Sequence, residues 1–156
     1  MRLKIFTLIS LMSLVGCASV NSYVEPKSGS EPLATVSGSS TREGVFDWSS
    51  FMVNSIDNKH VGMVWSEKSK INVKPGQHLF VIGSQFNRGL GDGPYSSLTE
   101  VYATLKPGMD YKFIGQPRGA HMRVWATASG QKVSKVGSSL YQLTPQPTIV
   151  PVIINN

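Results

Sequence analysis

Short β-type runs, broken by turn residues about every ten positions and never by a helical period, constrain this 156-residue chain most. Residues 51–56 read as a strand, and Asp57-Asn58-Lys59 reads as its turn, because Asp and Asn tolerate left-handed backbone. Residues 60–65 read as the return strand. Lys70-Ile71-Asn72-Val73 alternates polar and apolar, as a half-buried strand does. In Lys74-Pro75-Gly76 the proline presets φ at the second turn position and the glycine supplies positive φ at the third. Residues 77–82 then form an outgoing strand. The same device recurs as residues 101–105, Lys106-Pro107-Gly108 and residues 109–114, so two hairpins of one turn chemistry are expected. Residues 120–126 alternate Ala, Met, Val, Ala with His, Arg, Trp, and Ser129-Gly130 turns into a strand over 131–136. The expected fold is all-β: a single antiparallel sandwich or small barrel of about seven strands over residues 45–137.

The flanks differ in character. Residues 17–44 are rich in Ser, Gly, Asn, Pro and Glu, and read as a flexible tether. Residues 138–156 hold Pro145, Pro147 and Pro151 within β-prone residues, which suits an edge strand or a docked peptide but not a central strand. The run from Asp57 into Val73-Lys74-Pro75-Gly76-Gln77-His78-Leu79 resembles the small PEGA-type β-domains of bacterial envelope lipoproteins. That resemblance implies a scaffolding or binding module and brings no active-site residues.

At the start of the chain Arg2 and Lys4 precede an apolar stretch over residues 5–15, too short to cross a bilayer as a helix. It ends in Leu14-Val15-Gly16-Cys17, which resembles the lipobox of bacterial lipoproteins. The resemblance implies a signal peptide over 1–16, cleavage before Cys17, and a diacylglyceryl thioether with an N-acyl chain on that cysteine. Several acyl chains on one residue suffice for stable membrane anchoring. Ala18 stands where an Asp would resemble an inner-membrane retention signal, so the periplasmic side of the outer membrane is expected in a host that has one. Cys17 is the single cysteine of the chain, so lipidation leaves no thiol for a disulfide, metal or nucleophile. A soluble periplasmic protein with a free Cys17 is the alternative.

Cleavage removes two of the 15 basic residues, leaving 13 against nine acidic ones. This excess carries no Lys/Arg run or aromatic-basic stripe of a nucleic-acid binder, and no cofactor motif is present. The segment Asn87-Arg88-Gly89-Leu90-Gly91-Asp92-Gly93-Pro94 is glycine-rich, but a strand follows it instead of the helix a phosphate cradle needs. It reads as a hairpin loop whose Arg88, Asp92 and Tyr95 are candidates for partner contact. His60, His78 and His121 fall on three separate strands without metal-ligand spacing, so no metal site is assigned. No G-x-S-x-G elbow or acid/base pair is visible, and no catalytic residue is assigned. Two of Trp48, Trp65 and Trp125 are expected in the core. His121, Arg123 and Trp125 share one strand face opposite Met122 and Val124, a second candidate contact patch. The expected function is a non-enzymatic envelope module that binds another envelope protein or cell-wall glycan, with a small envelope hydrolase as the alternative.

Overall fold

The computed structural model describes residues 21–27, 29–62 and 69–144. In chain order the strands are β1 (Ala34–Ser37), β2 (Ser39–Arg42), β3 (Asp47–Ile56), β4 (Lys59–His60), β5 (Ile71–Val73) and β6 (Gly76–Arg88). β7 (Tyr95–Leu105), β8 (Asp110–Arg118), β9 (His121–Ala128), β10 (Gln131–Lys132), β11 (Gly137–Leu140) and β12 (Gln142–Leu143) follow. They form two packed sheets, a sandwich and not a closed barrel. One sheet runs β12-β7-β6-β3-β2 with β4 also on β3; the other runs β10-β9-β8-β1-β5 with β11 also on β9. Pairing is antiparallel except between β1 and β8, which run parallel. The count exceeds the seven strands expected, because short edge strands carry too little periodicity to be seen in sequence.

Alternation along the long strands builds the core. Phe80, Ile82 and Phe86 of β6 point inward with Val101 and Leu105 of β7, against Phe113 of β8 and Met122, Val124 and Ala126 of β9. The Phe80 and Phe113 rings meet across the sheets at 4.9 Å and 52°. Two hydroxyls buried on the inner face are satisfied, Ser84 by Ser97 at 2.7 Å and Thr99 by Ser139 at 2.6 Å. The tryptophan expectation fails: Trp48 and Trp125 are only half-buried, and Trp65 lies outside the described residues. Phenylalanines fill the core instead, since Trp48 and Trp125 fall on the outward phase of their strands.

The expected turns at Asp57-Asn58 and Ser129-Gly130 are present with positive φ (50°, 61°, 48° and 77°). The two Lys-Pro-Gly turns form, but not as hairpins. β5 lies in one sheet and β6 in the other, and β7 and β8 are likewise divided, so both turns are arches between the sheets. Turn chemistry reverses the chain without specifying whether the next strand joins the same sheet. Each arch is pinned by a side chain: Tyr111 Oη accepts the Lys106 N–H at 2.7 Å, and His78 Nε2 lies 2.8 Å from the Lys74 carbonyl. The hairpin on which the likeness to PEGA-type domains rests is therefore not formed. The return strand expected over 60–65 is cut to Lys59–His60, with residues 63–68 outside the described set, and the strand over 131–136 is only Gln131–Lys132.

The tether is also shorter than expected. Residues 34–42 are two strands, with Ala34 and Val36 fully buried, although Ser-rich neighbours mask their alternation in sequence. Upstream, Ser22 bridges His60 in parallel, with the Tyr23 N–H donating to the His60 carbonyl and the His60 N–H to the Asn21 carbonyl, each at 2.8 Å. Tyr23 Oη donates to the Asn72 carbonyl, and Glu25 accepts both the backbone and side-chain N–H of Asn72, all at 2.9 Å. These side chains occupy the free edge of β5, the position where an unprotected strand would pair with another chain. At the other terminus the domain extends past 137: β11 and β12 belong to the sheets, with β12 (Gln142–Leu143) at an edge, whereas the Pro-containing run on which the edge-strand or docked-peptide expectation rests is outside the described residues. Residues 145–156 lie outside the described residues.

Between β1 and β2 the chain passes from one sheet to the other at Gly38. A Cβ there would stand 1.9 Å from the Phe51 carbonyl oxygen, and one at Gly137, where β11 crosses β7, would stand 2.1 Å from that of Glu100. Backbone, not a flexible side chain, is what each would meet. Gly38→Ala is expected to destabilise the fold by about 2–3 kcal/mol in urea unfolding. Gly29→Ala, with nothing within 4 Å, should stay within about 0.5 kcal/mol of wild type. Equal stability of the two variants would refute the close-approach account.

Candidate functional site

Three candidate features cluster at one end of the sandwich. The β6–β7 ladder runs from Gly76↔Leu105 to Phe86↔Tyr95 and closes through the glycine-rich segment, which is a hairpin loop as expected. Arg88 Nε pairs with Asp92 Oδ2 at 3.2 Å, and Tyr95 Oη donates to Asp92 Oδ1 at 2.6 Å. The Arg88 guanidinium lies over the rings of Tyr95 and Tyr141, 5.0 and 5.5 Å from their centroids. Tyr141 also meets Phe86 edge-on at 4.9 Å and Tyr95 at 5.1 Å, and its hydroxyl donates to the Gly119 carbonyl at 2.8 Å. The structure thus brings Arg88, Asp92 and Tyr95 together, but turned toward one another. They lock the loop before they face any partner. Sequence reading passed over Tyr141; its place between the polar β11 and the prolines gave no sign of the loop it would meet.

Electrostatics follow the geometry. The Tyr95 hydroxyl bond, helped by Arg88, holds the Asp92 carboxyl below the usual carboxylate range, and the same bond pushes the Tyr95 hydroxyl up. At the other end, burial acts to raise the Asp57 carboxyl. Bonds from His78 and from the Leu79 N–H outweigh it, leaving the group below its ordinary value. Lys70 and Thr35 together lower Asp110. Burial, then the charges of Glu25 and Asp57, pushes the Tyr23 hydroxyl up to about 12.

The second candidate patch lies on the outer face of the other sheet. His121 is exposed, and Arg123 and Trp125 are half-buried, opposite the buried Met122 and Val124 as their alternation predicts. Cross-strand neighbours extend it: Arg118 and Leu140 beside His121, Gln116 and Ser138 beside Arg123, Ile114 beside Trp125. The histidines do not converge. His60 and His78 lie near the Asp57 turn, and His121 is at the far end of β9. Among the described residues no group of three His, Cys, Asp or Glu side chains is placed to hold a metal ion.

A third feature had no sequence signal. β1 pairs with β8 only as far as Ser37↔Lys112, because the chain then leaves at Gly38 for the other sheet. Beyond Lys112, β8 has β9 on one flank and, among the described residues, no strand on the other. A cleft of about 530 Å³ opens there, walled by Thr41, Trp48, Phe51 and Phe86 on one side and Gln116 and Pro117 on the other. Ser39 Oγ reaches across its inner end to the Phe113 carbonyl at 2.6 Å. Strand alternation then points the Gly115 N–H and C=O toward the same flank. Gly115 is bare because the Phe51 ring lies against it, 2.6 Å from where a Cβ would be. In the wall, Asn87 Oδ1 is buried and accepts no hydrogen bond.

The architecture defines the class as a two-sheet β-sandwich with one open seam. No family model, no curated protein and no solved structure matches the chain.

Depressed carboxylate pKa values mean that Asp57, Asp92 and Asp110 stabilise the fold fully above the ordinary carboxylate pKa, about 3.9. That stabilisation is lost as pH falls through their lower folded values. Tyr95→Phe should move the NMR-detected Asp92 titration up toward that ordinary value while leaving Asp110 where it is. An unmoved Asp92 midpoint would show that the loop lock does not depend on the tyrosine.

Proposed function

We propose that the chain is a lipid-anchored envelope lipoprotein, held through Cys17 on the periplasmic side of the outer membrane, whose sandwich is a non-enzymatic binding module. The lipobox motif supports the anchor. The open flank of β8 supports the binding half. An extended segment of another envelope protein laid along that flank would gain backbone hydrogen bonds at Gly115 and place alternate side chains against Phe51 and Phe86. Backbone bonding supplies affinity there, and the aromatic wall supplies selectivity. The rim carries Glu43, Asp47 and Arg88, which favours a segment of mixed charge.

A photo-crosslinking residue at Thr41 or Gln116, compared with one at Arg123 or Trp125, tests this in intact cells. Protein adducts from Thr41 and Gln116 are expected. Adducts from Arg123 and Trp125 alone would transfer the binding surface to the outer sheet face. Cell-wall fragments captured at Gln116 would favour the glycan or hydrolase alternative over a protein partner.

A further inference from the structure

The two ends of the sandwich are chemically different. One end, here called the pole, is formed by the Asp57-Asn58 turn, the two Lys-Pro-Gly arches and the Ser129-Gly130 turn. Lys59, Lys74 and Lys106 sit in those turns, and Lys112 and Lys132 stand within three residues of a strand end there; all five are exposed. None of the five is in an ion pair among the described residues. The nearby carboxylates are engaged locally: Asp57 by His78 and Leu79, Asp110 by Lys70 and Thr35, Glu25 by Asn72. Glu31, on the approach to β1, is exposed. The arginines Arg42, Arg88, Arg118 and Arg123 all lie toward the opposite end.

The described N-terminal segment begins on the lysine side: β4 runs away from the pole and Ser22 bridges it in parallel, so residues 21–23 also run away from the pole, with Asn21 at their pole-side end. Cys17 is four residues earlier. Fully extended, four residues span only about 14 Å. A free tether reaching to residue 44 would instead have spread over roughly 30 Å.

We propose that the lysine pole is a membrane-facing surface that rests on anionic phospholipid headgroups. The orientation rests on the Cys17 anchor proposed above, whereas the attraction between the lysines and the headgroups does not. Hydrated ammonium groups on flexible stems suit diffuse headgroup phosphates better than a shaped site. An anchor this short keeps them within one to two Debye lengths of the bilayer.

The test uses the full precursor processed in cells, with the mass of its N-terminal peptide reporting lipidation of Cys17. The mature protein is reconstituted into phosphatidylcholine vesicles with phosphatidylglycerol, carrying a fluorophore at Pro107→Cys or at Leu90→Cys. Headgroup-quencher lipid should quench the label at 107 and spare the one at 90. Separately, the mature chain with Cys17→Ser should bind phosphatidylglycerol vesicles in a salt-sensitive way and ignore phosphatidylcholine alone. Lys74→Glu or Lys106→Glu should weaken that binding about fivefold or more, and Arg118→Glu should not. A lipidated chain whose two labels are quenched equally would overturn the pole while the anchor stands. A wild-type chain that leaves cells with no lipid on Cys17, while the Cys17→Ser chain shows lysine-dependent vesicle binding, would overturn the anchor while the pole's affinity stands. Vesicle binding indifferent to both lysines would overturn the proposal outright.

Discussion

The structure depends on one close backbone approach. At Gly38 the chain crosses from one sheet to the other directly over Phe51, with no room for a side chain. Phe51 is held from both directions: its carbonyl abuts Gly38, and its ring fills the space left by the missing side chain of Gly115. This arrangement joins β2, β3 and β8 at one seam. A second close approach, of Gly137 to the Glu100 carbonyl, seats β11 against β7, where the Thr99–Ser139 bond fastens it, and the chain changes sheets between β11 and β12. Two edges sewn by strands that change sheets give the sandwich its closure with no disulfide available. They also create its opening, since β1 must abandon β8 at Lys112 to make the crossing.

What was legible in the sequence was local. Alternation in β3, β6, β7 and β9 gave the long strands, and the Asp57-Asn58 and Ser129-Gly130 turns followed from residue chemistry. The phase of Met122 and Val124 placed His121, Arg123 and Trp125 on the outer face. What escaped was global. Lys-Pro-Gly dictates a reversal, and only the packing of Tyr111 and His78 against the turns makes those reversals arches. Ala34-Thr35-Val36 is three residues of alternation inside a Ser/Gly-rich stretch, too short to outweigh its surroundings. Of the candidate site, Arg88, Asp92 and Tyr95 were legible as neighbours around a loop. Their mutual satisfaction required Tyr141, nearly fifty residues on and carried in by β-pairing. The cleft had no signature because it consists of a pairing that stops.

An anchored domain on a long tether samples every orientation, whereas one fixed at Asn21 and anchored at Cys17, as proposed, would be held close and turned one way. The same contacts that shorten the tether, Tyr23 and Glu25 on Asn72, also protect the β5 edge. The edge nearest the proposed anchor is thereby closed to pairing, and the open flank of β8 lies toward the opposite end.

Orientation then separates the two proposed surfaces by the length of the sandwich. β6 runs from the lysine arches to the loop, and thirteen residues of strand extend about 40 Å. With the pole against headgroups, the locked loop and the outer part of the cleft would stand toward the end farthest from the bilayer, several Debye lengths from its charge. The mixed-charge recognition proposed at Glu43, Asp47 and Arg88 would then be free of the membrane field proposed to attract the lysines. The division of cations, exposed lysines at one end and at the other Arg88 fixed by Asp92, Tyr95 and Tyr141, fits the separation proposed: diffuse attraction suits a fluid surface, and fixed geometry suits a folded or extended chain.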